Sequence, residues 1–119
     1  MAYNKKDHYH RKAKEEGFLA RSAYKLQELQ KKFRLIQAGS RVLDLGCAPG
    51  AWVQVALPMV GQHGRIVGVD LEKIEKSTLN DPRFRFIHGD AFNLKPEDVP
   101  ESPFDVVLSD MAQIGRAHV

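Results

Sequence analysis

One short segment constrains the fold of this chain more than any other, because in it an apolar run stops at a turn of small residues. The segment reads Val42-Leu43-Asp44-Leu45-Gly46-Cys47-Ala48-Pro49-Gly50-Ala51-Trp52, and a new apolar pattern follows it. A strand that enters a tight glycine-containing loop and then a helix is the usual place where an α/β fold holds a nucleotide-like cofactor. The segment therefore predicts a βα unit with a binding loop.

The loop departs from the dinucleotide-binding fingerprint, which has glycine at its first, third and sixth positions. Here those positions hold Gly46, Ala48 and Ala51. The methyl group of Ala48 obstructs close approach of a pyrophosphate, and Pro49 removes a backbone N–H donor. Both changes suit a ligand without phosphate, such as S-adenosylmethionine (SAM). Gly46 and Gly50 would let its methionine part approach the backbone.

Three carboxylates are predicted to share one edge of the sheet, because each lies where a predicted strand ends. Asp44 precedes the loop and offers an acceptor to the ligand's amino group or an anchor to the loop. Asp70 ends the second strand, where a carboxylate accepts both ribose hydroxyls of an adenosine, or simply caps a helix. Asp90 follows the third strand and could reach the adenine amino group, or simply stabilise a turn.

The apolar periodicity predicts alternating helices and strands, and hence βαβ units with a parallel sheet. The last strand is apolar enough for burial on both faces. The elements are a helix over residues 20–37, a strand over 41–45, a helix over 49–60, strands over 65–70 and 83–88, a short helix or loop over 96–100 and a strand over 104–109.

Composition limits the chain to one domain of a soluble type, since it has 119 residues, of which 43% are hydrophobic and 28% charged. It shows no membrane-spanning run and no apolar signal core, so we expect a cytoplasmic protein. The single Cys47 fits a reducing compartment. His8 and His10 have no third ligand nearby, so we expect no metal site.

Charge is distributed unevenly along the chain. Residues 1–40 contain ten Lys/Arg and four Asp/Glu, a net charge of +6, whereas residues 41–119 contain eight and eleven, a net charge of −3. We interpret residues 1–17 as a basic arm, flexible or helical. It either contacts a polyanion such as nucleic acid or is simply solvated.

Three motifs in order resemble the FtsJ (RrmJ, or RlmE) family of SAM-dependent ribosomal RNA 2′-O-methyltransferases, over about residues 8–112. The motifs are Arg21-Ser-Ala-Tyr-Lys25-Leu-Gln-Glu-Leu, Asp44-Leu-Gly-Cys-Ala-Pro-Gly50-Ala-Trp52 and Leu108-Ser-Asp110-Met-Ala. The resemblance implies a Rossmann-like class I methyltransferase fold, of which this chain holds the first four of seven strands. It also implies methylation of a uridine ribose in large-subunit ribosomal RNA, and we expect a monomer.

The family's Lys-Asp-Lys-Glu catalytic tetrad maps in part onto this chain. By motif, its first lysine corresponds to Lys25 and its aspartate to Asp110. The second lysine and the glutamate have no counterpart here, so we expect these 119 residues alone to be inactive. The family's cofactor contacts correspond to Gly50, Trp52, Asp70, Asp90 and Asp110. For Trp52, simple core packing is the alternative.

Residues 18–113 are therefore interpreted as a partial methyltransferase domain, and residues 114–119 as a non-native tail. The tail sequence, Ile-Gly-Arg-Ala-His-Val, can be encoded by ATC GGA AGA GCA CAC GTC, which matches the start of a common sequencing adapter.

Three other functions stay open. They are a non-catalytic RNA-binding module for ribosome assembly, a 2′-O-methyltransferase acting on tRNA or mRNA caps, and a nicotinamide oxidoreductase, which Ala48 and Pro49 disfavour.

Overall fold

The computed structural model describes residues 5–75 and 79–109. The predicted alternation of helices and strands is present from α2 to β2. No helix is described between β2 and β3, and only two 3₁₀ turns lie between β3 and β4. The elements, in chain order, are α1 (Lys5–Glu15), α2 (Ala23–Phe33), β1 (Arg41–Leu45), α3 (Ala51–Val60), β2 (Arg65–Asp70), β3 (Phe84–His88), two 3₁₀ turns (Ala91–Asn93 and Pro96–Asp98) and β4 (Val106–Ser109). No helix in these two ranges is both long and apolar enough to cross a bilayer.

The described strands form one parallel sheet in the order β3-β2-β1-β4. Leu45, the last residue of β1, pairs with Val69 of β2 on one side and Ser109 of β4 on the other. Asp70, the last residue of β2, pairs with His88 of β3. The carboxyl ends of all four strands therefore meet at one edge, which is where open α/β sheets bind ligands.

The two faces of the sheet bury different side chains, because successive residues of a strand point to opposite sides. On one face, Val42 and Ile66 pack with residues of α2 and α3 such as Leu26 and Val53. On the other face, Val67 and Val69 pack against the segment that leads from β3 to β4. The sheet thus has a helical layer on one side and an irregular layer on the other.

Strand β4 departs from the expectation of burial on both faces. Leu108 is 6% exposed, whereas its neighbour Val107 is 59% exposed. The sheet order explains the difference, since β4 is the edge strand of the described sheet and the helical layer covers only the Leu108 side. Within the described residues, β4 is therefore buried on one face only.

Helix α2 is shorter than predicted at both ends, and a side chain explains its end at Phe33. The Gln30 carboxamide accepts a hydrogen bond from the Ile36 N–H (2.8 Å) and donates one to the Ile36 carbonyl (2.6 Å). Arg34 takes the left-handed conformation (φ 50°), and its N–H bonds to the Gln30 carbonyl. This arrangement caps the helix and turns the chain towards β1.

The basic arm is helical and is packed onto the domain. Ala13 of α1 is only 2% exposed. The Tyr9 and Tyr24 rings lie 5.9 Å apart, and the Lys12 ammonium lies 5.0 Å from the centre of the Tyr24 ring. Of the two alternatives, the structure shows the helical one over Lys5–Glu15, and the described cations of α1 project from this helix.

An ion pair at the amino ends of the strands caps the C-terminal end of α3. Arg83 donates to the carbonyls of Leu57 and Gly61 at the end of α3, where a cation complements the helix dipole. Its guanidinium also pairs with the Asp81 carboxylate at 2.8 Å. Hydrogen bonds from Arg83 lower the pKa of Asp81 to about 2.

We predict that Asp81→Asn destabilises the fold at neutral pH and that its effect fades in acid. A carboxyl group with a lowered pKa stabilises the folded state above its unfolded pKa of about 4, and this contribution is lost as the pH falls towards 2. Urea unfolding between pH 7 and pH 2 measures the difference. The exposed Glu97→Gln is the control, and a constant difference between D81N and the parent across this range would contradict the prediction.

Candidate functional site

The loop that follows β1 is held against the end of β2 by main-chain hydrogen bonds. The N–H groups of Gly46 and Cys47 both bond to the Val69 carbonyl, at 2.8 and 3.2 Å. Gly46 (φ 78°) and Gly50 (φ 110°) take left-handed conformations, which glycine adopts without steric cost. Glycine at these two positions therefore allows the loop to turn sharply from β1 into α3.

Asp70 anchors this loop, a role that its position at the strand end did not reveal. One carboxylate oxygen accepts the Ala48 N–H at 2.8 Å, and the other accepts the Glu72 N–H at 2.9 Å. The Asp70 carbonyl accepts the Gly89 N–H at 2.9 Å, so this residue joins three strand ends. Each carboxylate oxygen can accept more than one hydrogen bond, so the anchor is compatible with the predicted ribose contact.

Asp44 lies beneath the loop and is 2% exposed. It lines a cavity of about 20 Å³, which has room for about one water molecule. The other lining residues are Ser22, Gly46, Cys47, Ala48, Pro49, Ala51 and Trp52. A cofactor as large as SAM cannot enter this cavity, so a cofactor bound by the loop would lie on the loop's open side.

Cys47 fills the space between the loop and β2. Burial, followed by the charges of Asp44 and Asp70, raises the pKa of its thiol far above the usual range. A Cβ atom at Gly68 would lie 2.7 Å from the Cys47 sulfur, so glycine at this position of β2 makes room for the thiol. Cys47 is therefore a neutral packing residue, since a nucleophilic cysteine needs a thiolate.

Asp90 follows β3 and stabilises the next turn. Its carboxylate accepts the Phe92 N–H at 2.9 Å and so caps the first 3₁₀ turn. This bond confirms the turn-stabilising alternative for Asp90, and a contact with an adenine amino group stays a prediction.

Two exposed apolar side chains accompany the acids at this edge, and the sequence analysis missed both. Leu71 follows Asp70 and is 71% exposed, and Phe92 follows Asp90 by two residues and is 81% exposed. Large apolar side chains at such exposure are candidates for contact with a ligand. The sequence signal for both is a large apolar residue one or two positions after the acid that follows or ends a strand.

Trp52 connects the cofactor loop to the helix of Lys25. The indole is 6% exposed, and its N–H donates to the Ser22 carbonyl at 2.7 Å. The same carbonyl accepts the Lys25 N–H at 3.1 Å, which begins α2. The packing role of Trp52 is therefore present, while its contact with the cofactor stays a prediction. The Lys25 side chain is exposed.

Asp110, the remaining predicted site residue, lies outside the described residues, as does the proposed tail of residues 114–119. Strand β4 ends at Ser109, which is in register with Leu45 at the start of the loop. The structure thus brings the loop, Asp70 and the start of α2 together. Asp90 follows β3 at the same edge.

Comparison with known proteins agrees with this geometry. A family model described as FtsJ-like methyltransferase matches residues 18–119. The ribosomal RNA large subunit methyltransferase E of Desulfatibacillum aliphaticivorans is 49% identical over 109 residues, covering 90% of this chain and 52% of that protein. This chain spans about half the length of the curated relatives that it matches.

Two solved structures share the fold. A Plasmodium falciparum protein named as a ribosomal RNA methyltransferase superposes with a TM-score of 0.65 at 30% identity, covering 78% of this chain and 56% of that one. Aeropyrum pernix fibrillarin, solved with bound SAM, superposes with a TM-score of 0.58 at 28% identity, covering 70% of this chain and 38% of that one.

We predict that Asp70→Asn weakens SAM binding by more than about tenfold, the equivalent of about 1.4 kcal/mol. The asparagine side chain has one acceptor oxygen, so it cannot keep both main-chain bonds and also accept ribose hydroxyls. Isothermal titration calorimetry measures the affinity. Asp98→Asn is the control, since Asp98 also accepts a main-chain N–H but lies in the segment between β3 and β4. Equal affinities of D70N and D98N would contradict the assignment.

Proposed function

Because the chain belongs to the FtsJ-like methyltransferase family, we propose that the protein to which it belongs methylates large-subunit ribosomal RNA with SAM as methyl donor. We propose further that the acceptor is the 2′-hydroxyl of a uridine ribose. The single observation that carries the proposal is the glycine loop anchored on Asp70, beside the start of the Lys25 helix. The names of the curated relatives support the RNA substrate.

The residues at this edge fit the chemical parts of SAM. Gly46 leaves the loop backbone partly exposed to the methionine part, which carries no phosphate, whereas Gly50 is buried and makes the sharp turn into α3. Asp70 presents oxygens with spare acceptor capacity to the ribose hydroxyls. Leu71 and Phe92 offer exposed apolar surface to an adenine ring, whose burial is favourable. Asp90 supplies an acceptor for the adenine amino group, while the buried Asp44 lies beneath the loop and is assigned no ligand contact.

In the proposed reaction, the protein aligns the acceptor hydroxyl and helps to remove its proton. When bound, SAM would supply an electrophilic methyl group for an in-line displacement, with its thioether as the leaving group. Such a reaction gains most from holding the acceptor at the correct distance and angle. A ribose hydroxyl must also lose its proton, and an amine and a carboxylate can assist this loss. We assign this part of the site to Lys25 and Asp110.

The basic arm is proposed to bind the RNA backbone. The described cations of α1 include Arg11, Lys12 and Lys14, and α1 is docked through Ala13 and Tyr9 beside α2. A cationic helix held in a fixed orientation can contact successive phosphates, and such binding weakens as salt rises. Because α1 packs against the helix that carries Lys25, the arm can bring RNA towards the same edge as the cofactor loop.

The test measures transfer of a labelled methyl group from SAM to ribosomal particles. It compares a protein as long as the curated relatives with the 119-residue chain. We expect the longer protein to produce labelled 2′-O-methyluridine. We expect the 119-residue chain to transfer no methyl group, because these residues include only two members of the tetrad. RNA binding without methyl transfer by the longer protein would favour the ribosome-assembly module instead.

Two lysine substitutions distinguish a catalytic role of Lys25 from a general effect of losing one positive charge on α2. In the longer protein we expect Lys25→Ala to lower kcat at least about 100-fold, within the range usual for proton-transfer groups. Lys31→Ala, in the last turn of the same helix, should leave kcat within about twofold of the parent. Equal effects of K25A and K31A would remove Lys25 from the catalytic group.

A further inference from the structure

The segment that connects α1 to α2, residues 17–22, is fastened to α3 by a side chain that the sequence analysis did not single out. The Gln54 carboxamide oxygen accepts the Leu19 N–H at 2.7 Å, and its nitrogen donates to the Gly17 carbonyl at 3.1 Å. A carboxamide can satisfy one donor and one acceptor of a main chain at the same time. Gln54 thus holds this segment at two points, which fixes both its position and its direction.

Trp52 fastens the next part of the same segment. Trp52 lies two residues before Gln54, in the first turn of α3. Its indole N–H donates to the Ser22 carbonyl. Together the two side chains hold the main chain at Gly17, Leu19 and Ser22. The segment between α1 and α2 therefore has its path set by the helix that follows the glycine loop.

The fastened segment also touches the loop itself. A Cβ atom built on Gly50 would lie 3.3 Å from a terminal methyl carbon of Leu19, so this side chain lies over the glycine that ends the loop. Phe18, Leu19 and Ala20 are partly buried against the core that includes Trp52. The position of the segment and the position of the loop are thus coupled through direct packing.

We propose that Gln54 is a positioning residue, which sets the Lys25 helix in register with the cofactor loop by clamping the Gly17 and Leu19 main chain. The proposal rests on the function proposed above. Gln54 itself is assigned no contact with substrate or cofactor. Its effect is transmitted along the main chain from Leu19 to Lys25.

The clamp is expected to affect turnover and stability to different extents. Two neutral hydrogen bonds, one of them at an exposed position, make a small net contribution to stability. A displacement of about 1 Å at a catalytic group, in contrast, can lower a rate about 100-fold. Loss of the clamp should therefore reduce turnover much more than it reduces the melting temperature.

The experiment uses the longer protein and a graded pair of substitutions. Gln54→Met keeps the length of the side chain and removes both hydrogen bonds, while Gln54→Glu keeps an acceptor for the Leu19 N–H and loses the donor to Gly17. We expect kcat to fall about 10- to 100-fold in Q54M and by less in Q54E, with KM for SAM within about threefold of the parent. The melting temperature should fall by only a few degrees in either variant.

Hydrogen exchange reports on the clamp independently of activity. The Leu19 amide should exchange at least about tenfold faster in Q54M than in the parent, and at an intermediate rate in Q54E. The matched control is Gln37→Met at an exposed glutamine outside the site, which should change neither kcat nor this exchange rate.

The outcomes distinguish this inference from the proposed function. Parent-like kcat in Q54M with an active parent protein overturns the positioning role alone. An unchanged Leu19 exchange rate, or a kcat loss fully explained by unfolding at the assay temperature, overturns it as well. A parent protein that binds SAM and RNA but transfers no methyl overturns the proposed function, and the positioning role with it.

Discussion

The hydrogen bond from the Ala48 N–H to the Asp70 carboxylate is the constraint on which the site depends. It joins the loop after β1 to the end of β2, and the bonds from Gly46 and Cys47 to the Val69 carbonyl reinforce it. These contacts lock the loop over neighbouring strands before any ligand binds. A site with its backbone already held in place loses less entropy on binding, which favours both affinity and alignment.

The parts of the fold that sequence predicts best are those set by local apolar pattern. Strands β1 and β2 have the predicted bounds, because each is a short apolar run ended by an acid or a glycine turn. Helix α2 ends at Phe33, earlier than its periodicity indicates, because two hydrogen bonds between Gln30 and Ile36 turn the chain. Periodicity reports which face is apolar and does not report a contact between two polar groups six residues apart.

The candidate site shows the same division. The carboxylates at the strand ends are predictable, because parallel strands bring their carboxyl ends to one edge. The anchoring bond of Asp70 and the clamp of Gln54 are not predictable, because their partners are main-chain groups 22 and 35 residues away. Every residue type except proline supplies a main-chain N–H, so the sequence carries almost no signal for the partner.

The most direct measurement of the central claim is an NMR titration of the ¹⁵N-labelled chain with SAM. We predict that the largest amide shifts fall on residues 46–50, 70–72 and 90–92, at the carboxyl edge of the sheet. Amides near Arg65 and Arg83, at the opposite edge, should shift little. Shifts confined to that opposite edge, or no shifts at millimolar SAM in a folded chain, would contradict the assignment of the glycine loop as the cofactor site.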